Sequence, residues 1–203
     1  MSVLIIGPAR VGATSLATNL SEMLNILLVN EPYNYRNKPK KLWTEYPLNI
    51  RENIVCKMGV LQLPFNYKKG YFSFIAEFQQ TFEHTIFLTR TNKKEHLESR
   101  INLGIQISTP GKNAHSPWYI DDIKDREDFY TYDKNLRQDI ETINKLSIDF
   151  NIPLVAYEDL YGANRIKSLN IIESWGLGID SNELNNRLHP RYKYRQTGIR
   201  PRI

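Results

Sequence analysis

Residues 7 to 15 of this 203-residue chain read GPARVGATS. Gly7, Gly12 and Thr14 fall in the register of a G-x-x-x-x-G-K-[ST] loop, whose backbone N–H groups cradle phosphate at the start of a helix. Ala13 stands where that loop carries its lysine, while Arg10 brings a positive charge and Thr14 and Ser15 bring hydroxyl groups. Glu31, just after the next apolar run, is a carboxylate that could serve as general base if it faces the same crevice. Arg90 closes a later apolar run and Ser99 follows nine residues on, a pairing able to hold a second phosphate. Tyr157, in Tyr157-Glu158-Asp159-Leu160, has a ring suited to stacking on a base, and Glu158 or Asp159 would cap the next element. Together these types suit the binding of a phosphorylated ligand. Each also has an ordinary structural role: a glycine-containing strand-to-helix turn, a surface Glu before Pro32, a solvated Arg, an exposed helical Ser.

The elements that would position them alternate. Val3–Ile6 is a short apolar strand running into Gly7-Pro8, and Leu16, Leu20, Met23 and Leu24 then share one helical face. Ile26–Val29 reads as a second strand, and Ile54–Cys56 as a third. An aromatic helix is expected over about residues 71–82, a fourth strand over Thr85–Leu88, and a helix carrying Leu97, Ile101 and Ile105. Residues 108–128 are polar, with Pro110, Gly111 and Pro117, and are long enough for a lid or substrate loop. Leu136, Ile140, Ile143 and Phe150 mark a long helix, Pro153–Ala156 a fifth strand, and Ile166, Leu169 and Ile172 a last helix stopped at Gly176. The expected fold is α/β: one doubly wound domain with a central, mainly parallel five-stranded sheet flanked by helices. Ligands of such folds bind at the carboxyl ends of the strands.

Bulk properties fit that reading. The length suits one domain, and no run of about 18 apolar residues is present to span a membrane. The opening residues read as a strand rather than a signal peptide. Cys56, the one cysteine, allows no internal disulfide and is expected as a small buried residue. A reducing, cytoplasmic location is therefore expected. The net charge of +5 is uneven: six of 27 basic residues, and no acid, follow Leu184, which leaves 21 basic against 22 acidic residues before it. The domain is accordingly taken as 1–183, with 184–203 as a basic tail of the same domain, able to close over a polyanion.

The motifs in combination resemble the sulfotransferase superfamily, whose members use 3′-phosphoadenosine-5′-phosphosulfate. Arg10-Val-Gly-Ala-Thr14 is similar to the family's [KR]-x-G-[ST]-[ST] loop, with Ala13 in place of a hydroxyl residue. FLTRTNKKEHLES is similar to its strand-Arg-helix-Ser signature in the bacterial spacing, IPLVAYEDLYG to its late Y-E-D-L strand, and WGLGID to the hydrophobic ending. The resemblance spans about residues 3 to 180 and implies a P-loop-like fold closer to bacterial and carbohydrate-directed members than to animal cytosolic ones. It implies that Arg10, Gly12, Ala13, Thr14 and Ser15 surround the 5′-phosphosulfate, that Arg90 and Ser99 bind the 3′-phosphate, and that Tyr157 lies near the adenine. Glu31, in Asn-Glu-Pro-Tyr, takes the position of the general base, and Lys57 helps neutralise the transferring group. The family's late G-x-x-G-x-x-K loop is not recognisable, and Lys193 or Arg195 of the tail would do its electrostatic work. The product would be adenosine 3′,5′-bisphosphate, with a small-molecule or carbohydrate hydroxyl or amine as acceptor. Residues 32–50 and 108–128, with Trp43, Tyr46, Trp118 and Tyr119, would supply acceptor contacts.

Rival readings stay open. A P-loop kinase or NTPase predicts a lysine at position 13 and a magnesium-binding acid after a later strand. A non-catalytic binder would use the Arg-rich tail with Tyr192 and Tyr194, although the neutral body makes nucleic acid an unexpected partner. A sulfotransferase-like protein that binds nucleotide without turnover is a further reading. No metal is expected: His84, His96, His115 and His189 are scattered and read as surface or packed residues.

Overall fold

The computed structural model describes residues 1–33, 53–60, 62, 68–108 and 129–188. Five strands, β1 (Ser2–Gly7), β2 (Leu27–Asn30), β3 (Ile54–Gly59), β4 (His84–Thr89) and β5 (Leu154–Ala156), form one sheet in the order β2-β3-β1-β4-β5. Every pairing is parallel. Parallel neighbours need a crossover between them. Helices α1 (Ala13–Leu24), α2 (Tyr71–Gln79), α3 (Lys93–Ser108), α4 (Phe129–Phe150), α5 (Tyr157–Tyr161), α6 (Arg165–Ser174) and α7 (Ser181–Leu188) complete the described elements.

β1 is central and buried along its whole length, which is why its run has no polar alternation. Its side chains divide by parity. Val3 and Ile5 join Leu16 and Leu20 of α1, Ile172 of α6, and Leu184 and Leu188 of α7 in one core. Leu4 and Ile6 join Phe74 and Phe78 of α2, and Ile143 and Leu146 of α4, in the core on the other face. Full burial of a Leu or Phe side chain contributes roughly 1.5–3 kcal/mol. Helices cover both faces, so the sheet is doubly wound. Cys56 lies wholly buried in the second core, and burial pushes its thiol well above the ordinary range.

The C-terminal part differs from the expectation in its helices and in the basic residues assigned to the tail. The chain does not end its helical structure near Gly176: α7 follows, with Leu184 and Leu188 fully buried. The expected boundary at 183/184 therefore falls inside a helix that packs into the core. Asp180 accepts from the Glu183 N–H at 3.1 Å and caps that helix. Arg187, one of the six basic residues assigned to the tail, is held by Glu183 at 2.6 Å and Glu22 at 3.1 Å. Ile166 of α6 is exposed, so Ile172 and Ser168 make that helix's buried face.

β1 lies between β3 and β4, so chain segments leaving it and β4 diverge above its carboxyl end. That is the switch point at which such sheets bind ligands.

Candidate functional site

The segment after β1 forms a tight loop leading into α1. Val11 is fully buried beneath it, and Pro8 is buried at its start. Arg10 has φ 72° and Gly12 φ 80°, both left-handed. Alternation of this kind turns successive backbone N–H groups toward one concavity, which suits an anion. Gly12 is required twice over: its φ favours glycine, and a Cβ there would lie 2.4 Å from the Tyr161 ring. Leu16 N–H closes the first turn of α1 on the Gly12 carbonyl at 3.1 Å. The first N–H groups of a helix have no intrahelical acceptor, and the helix dipole adds positive potential there. Thr14 is exposed at this end, whereas Ser15 is buried.

Arg10 Nε donates to Ser99 Oγ at 3.0 Å, tying the loop to α3. The two residues assigned from sequence to opposite ends of one nucleotide are thus in direct contact. Arg90 takes different partners. It is 2% exposed, meets Glu95 at 2.6 Å and Glu158 at 3.5 Å, and stacks 4.9 Å from the Tyr157 ring. Tyr157 stacks in turn on Tyr161 at 4.7 Å. The structure therefore joins Arg10 with Ser99, and Arg90 with Tyr157, in place of an Arg90–Ser99 clamp. Glu95 is the half-exposed partner of this pair, whereas the Arg90 side chain is buried.

Glu158, which with Asp159 was expected to cap the element after it, caps a different helix. Its carboxylate accepts from the Thr91 and Asn92 N–H groups at 2.9 and 3.2 Å, capping the start of α3 across the sheet. Burial opposes its ionisation, but these bonds outweigh burial and hold the carboxyl below the usual glutamate range. Asp159 pairs with Lys167 at 2.7 Å.

Glu31 and Lys57 form a second candidate grouping. Lys57 is nearly buried in β3, opposite Asn30 of β2 and Ile5 of β1. Its ammonium donates to Glu31 Oε1. Glu31 is held in place by its own N–H, which donates to the Lys57 carbonyl at 2.7 Å and continues the β2–β3 ladder. Among the described residues, five other than glycine have positive φ; three are asparagines, which tolerate it, and the others are Arg10 and Glu31. A strained backbone at two candidate site residues is the kind of outlier that clusters at functional sites.

Sequence reasoning missed His96 and Tyr161. His96, read as an ordinary packed or surface residue, is fully buried, and its Nε2 lies 2.7 Å from the Ala9 carbonyl of the loop. Burial lowers its pKa to about 4 against the bond to Ala9, with Arg90 and Arg100 lowering it further and Glu158 opposing them. Tyr161 lies beneath the loop and donates from its hydroxyl to the Gly12 carbonyl at 2.7 Å. Neither has a local sequence signal, because both act on a segment far away in the chain. Lys193 and Arg195, with residues 34–50 and 109–128, lie outside the described residues.

A glycine loop at the carboxyl end of a central strand, feeding a helix N-terminus in a 2-3-1-4-5 parallel sheet, decides the architecture. The domain is P-loop NTPase-like. No family model matches the sequence, and no curated protein matches it, so the sulfotransferase resemblance has no family-level support. Among solved structures, this P-loop-like chain is similar to the shikimate kinase of Aquifex aeolicus vf5 at 15% identity and a TM-score of 0.36. That match covers 74% of this chain and 96% of the kinase chain. A likeness at this level carries no argument, and the architecture stands on the strand order itself.

Among the described residues no group of His, Cys, Asp and Glu could hold a metal ion, and no helix is long and apolar enough to cross a membrane. A groove of about 500 Å³ between α3 and α4, lined by Lys93, Leu97, Leu136 and Ile140 among others, shares no residue with the P-loop-like segment or the Glu31–Lys57 pair.

Proposed function

We propose that this protein is a sulfotransferase that moves a sulfuryl group from 3′-phosphoadenosine-5′-phosphosulfate to a hydroxyl or amine of a small-molecule or carbohydrate acceptor. What most supports the reading is the glycine loop itself, whose left-handed Arg10 and Gly12 lead into the N-terminus of α1 and whose Arg10 is bonded to Ser99 of α3. A donor carrying both a 5′ and a 3′ phosphate needs basic and hydroxyl groups there, and does not need a lysine at position 13. The loop fits such a ligand through its left-handed turn and helix N-terminus. Arg90 fits less directly: it would reach a 3′-phosphate only as Glu95 swings away.

The donor supplies an activated sulfuryl group; the chain supplies position and charge. Arg10 and the amides of Ala13 and Thr14 hold the 5′ end and take up charge growing on the bridging oxygen, a contribution of about 3–4 kcal/mol for each well-placed donor. Glu31 accepts the acceptor proton as the acceptor atom attacks sulfur. Lys57 orients that carboxylate through its ammonium and lies within reach of the same end of the sheet. Lys193 and Arg195 would close over the donor.

A second reading, phosphoryl transfer from a nucleoside triphosphate, is favoured by one observation. Thr14 is exposed at the loop position whose hydroxyl binds magnesium in P-loop enzymes. Turnover decides between them. Sulfur-35-labelled donor offered with an acceptor library should yield labelled product that Glu31→Gln does not form, with adenosine 3′,5′-bisphosphate binding retained. Hydrolysis or transfer from ATP–Mg²⁺, with no sulfuryl transfer, would replace the first reading by the second.

A further inference from the structure

Two buried side chains from separate elements grip the loop from within. His96 of α3 meets the Ala9 carbonyl at 2.7 Å, and Tyr161 of α5 donates to the Gly12 carbonyl at 2.7 Å. A carbonyl can only accept, so the proton of the neutral imidazole sits on Nε2 and leaves Nδ1 as a bare lone pair. That Nδ1 is buried and has no hydrogen-bond partner among the described residues. A histidine retained at such a cost, where an apolar residue would pack better, points to the bond made by its other nitrogen. Tyr161 repeats the arrangement, with its ring filling the space under Gly12 that any side chain there would occupy.

The peptide bond is planar and trans, so each carbonyl points opposite to the next residue's N–H. Fixing the Ala9 and Gly12 carbonyls toward the protein body therefore fixes the direction of the peptides that open and close Arg10-Val11-Gly12. The second of these carries the Ala13 N–H, the first of α1. The left-handed conformations at Arg10 and Gly12 lie between the two grips.

We propose that His96 and Tyr161 are positioning residues that hold the phosphate-binding loop in its anion-ready conformation before ligand arrives. The proposal rests on the loop being the phosphate-binding element of the proposed function. Tyr161 also carries the stack Tyr161–Tyr157–Arg90, so the grip on the loop is continuous with the buried arginine at the end of β4.

Calorimetry on the full-length chain with adenosine 3′,5′-bisphosphate, and in parallel with ATP–Mg²⁺, tests this, with melting temperatures recorded for each variant. Tyr161→Phe removes one hydroxyl and keeps the ring; His96→Leu removes the donor; His96→Gln returns an N–H at similar reach. Tyr161→Phe and His96→Leu should each weaken binding about tenfold, the equivalent of one hydrogen bond's preorganisation. His96→Gln should recover most of that loss, which a purely space-filling role would not predict. If His96→Leu does not fold, Tyr161→Phe and His96→Gln carry the comparison. Unchanged affinity in Tyr161→Phe and His96→Leu overturns the proposal while leaving the proposed function intact. Binding of ATP–Mg²⁺ alone overturns the sulfotransferase reading, and the same variants then test the grip against that ligand. A parent protein that binds neither probe overturns both.

Discussion

Arg10 of the glycine loop and Ser99 of α3 are bonded side chain to side chain at 3.0 Å, although 89 residues separate them. The contact ties the loop to the helix after β4. Ser99→Ala should weaken adenosine 3′,5′-bisphosphate binding by about ten- to a hundredfold, the range of a hydrogen bond to a charged group. Its melting temperature should stay within a degree or two, because the bond is exposed. Titration calorimetry measures the first and a thermal melt the second; an unchanged affinity removes Ser99 from the site.

The Glu31–Lys57 pair predicts a stability pattern independent of any ligand. The Lys57 side chain is 10% exposed and that of Glu31 22%. Lys57→Met leaves a carboxylate in a partly buried site without its ammonium, at a cost of about 3 kcal/mol. The double variant Lys57→Met with Glu31→Leu should regain most of that loss. Urea unfolding of the single and double variants checks it, and equal instability of the two would show that the pair is not coupled.

His96 gives a pH dependence of defined sign. Its folded pKa of about 4 lies below the ordinary value of 6.5. The unfolded chain thus binds the proton first, and stability falls on acidification from about pH 6.5 to about pH 4. The full shift corresponds to about 3 kcal/mol. Urea midpoints at steps through this window should fall for the parent and stay flatter for His96→Gln. A parallel slope in both would assign the acid sensitivity elsewhere.

Gly12→Ala tests the loop's backbone. The left-handed φ costs about 1–2 kcal/mol for a residue with a Cβ. The new methyl would also meet the Tyr161 ring at 2.4 Å, so the total loss should exceed that figure. Chemical denaturation measures it; a loss below 1 kcal/mol would mean that the ring moves aside freely.

Cys56 should be silent toward thiol reagents in the native state. It is fully buried, and burial holds the thiol protonated. Ellman's reagent should react with one thiol in denaturant and almost none without it. Rapid native labelling would contradict the packing of β3 against α2.

Sequence alone determined the alternation of strands and helices, since buried parallel strands must read as short apolar runs and their crossovers as amphipathic helices. It determined the glycine loop too, because a tight left-handed turn at Gly12 leaves few residue choices. The position of the strand-end residues was also legible, in that Glu31, Lys57, Arg90 and Tyr157 all fall where each strand stops or nearly stops. α7 was not read from the sequence, although Asp180 caps it at the Glu183 N–H and Leu184 and Leu188 form its buried face. Only the tertiary structure decided which of these residues meet. Strand order is a matter of non-local pairing, and no local pattern encodes it. For that reason Ser99 turned to Arg10, Arg90 turned to Glu95, Glu158 and Tyr157, and Lys57 found Glu31. His96 and Tyr161 show the same limit most clearly. Their type and spacing say nothing, and their role comes from a loop that approaches them only after the chain has folded.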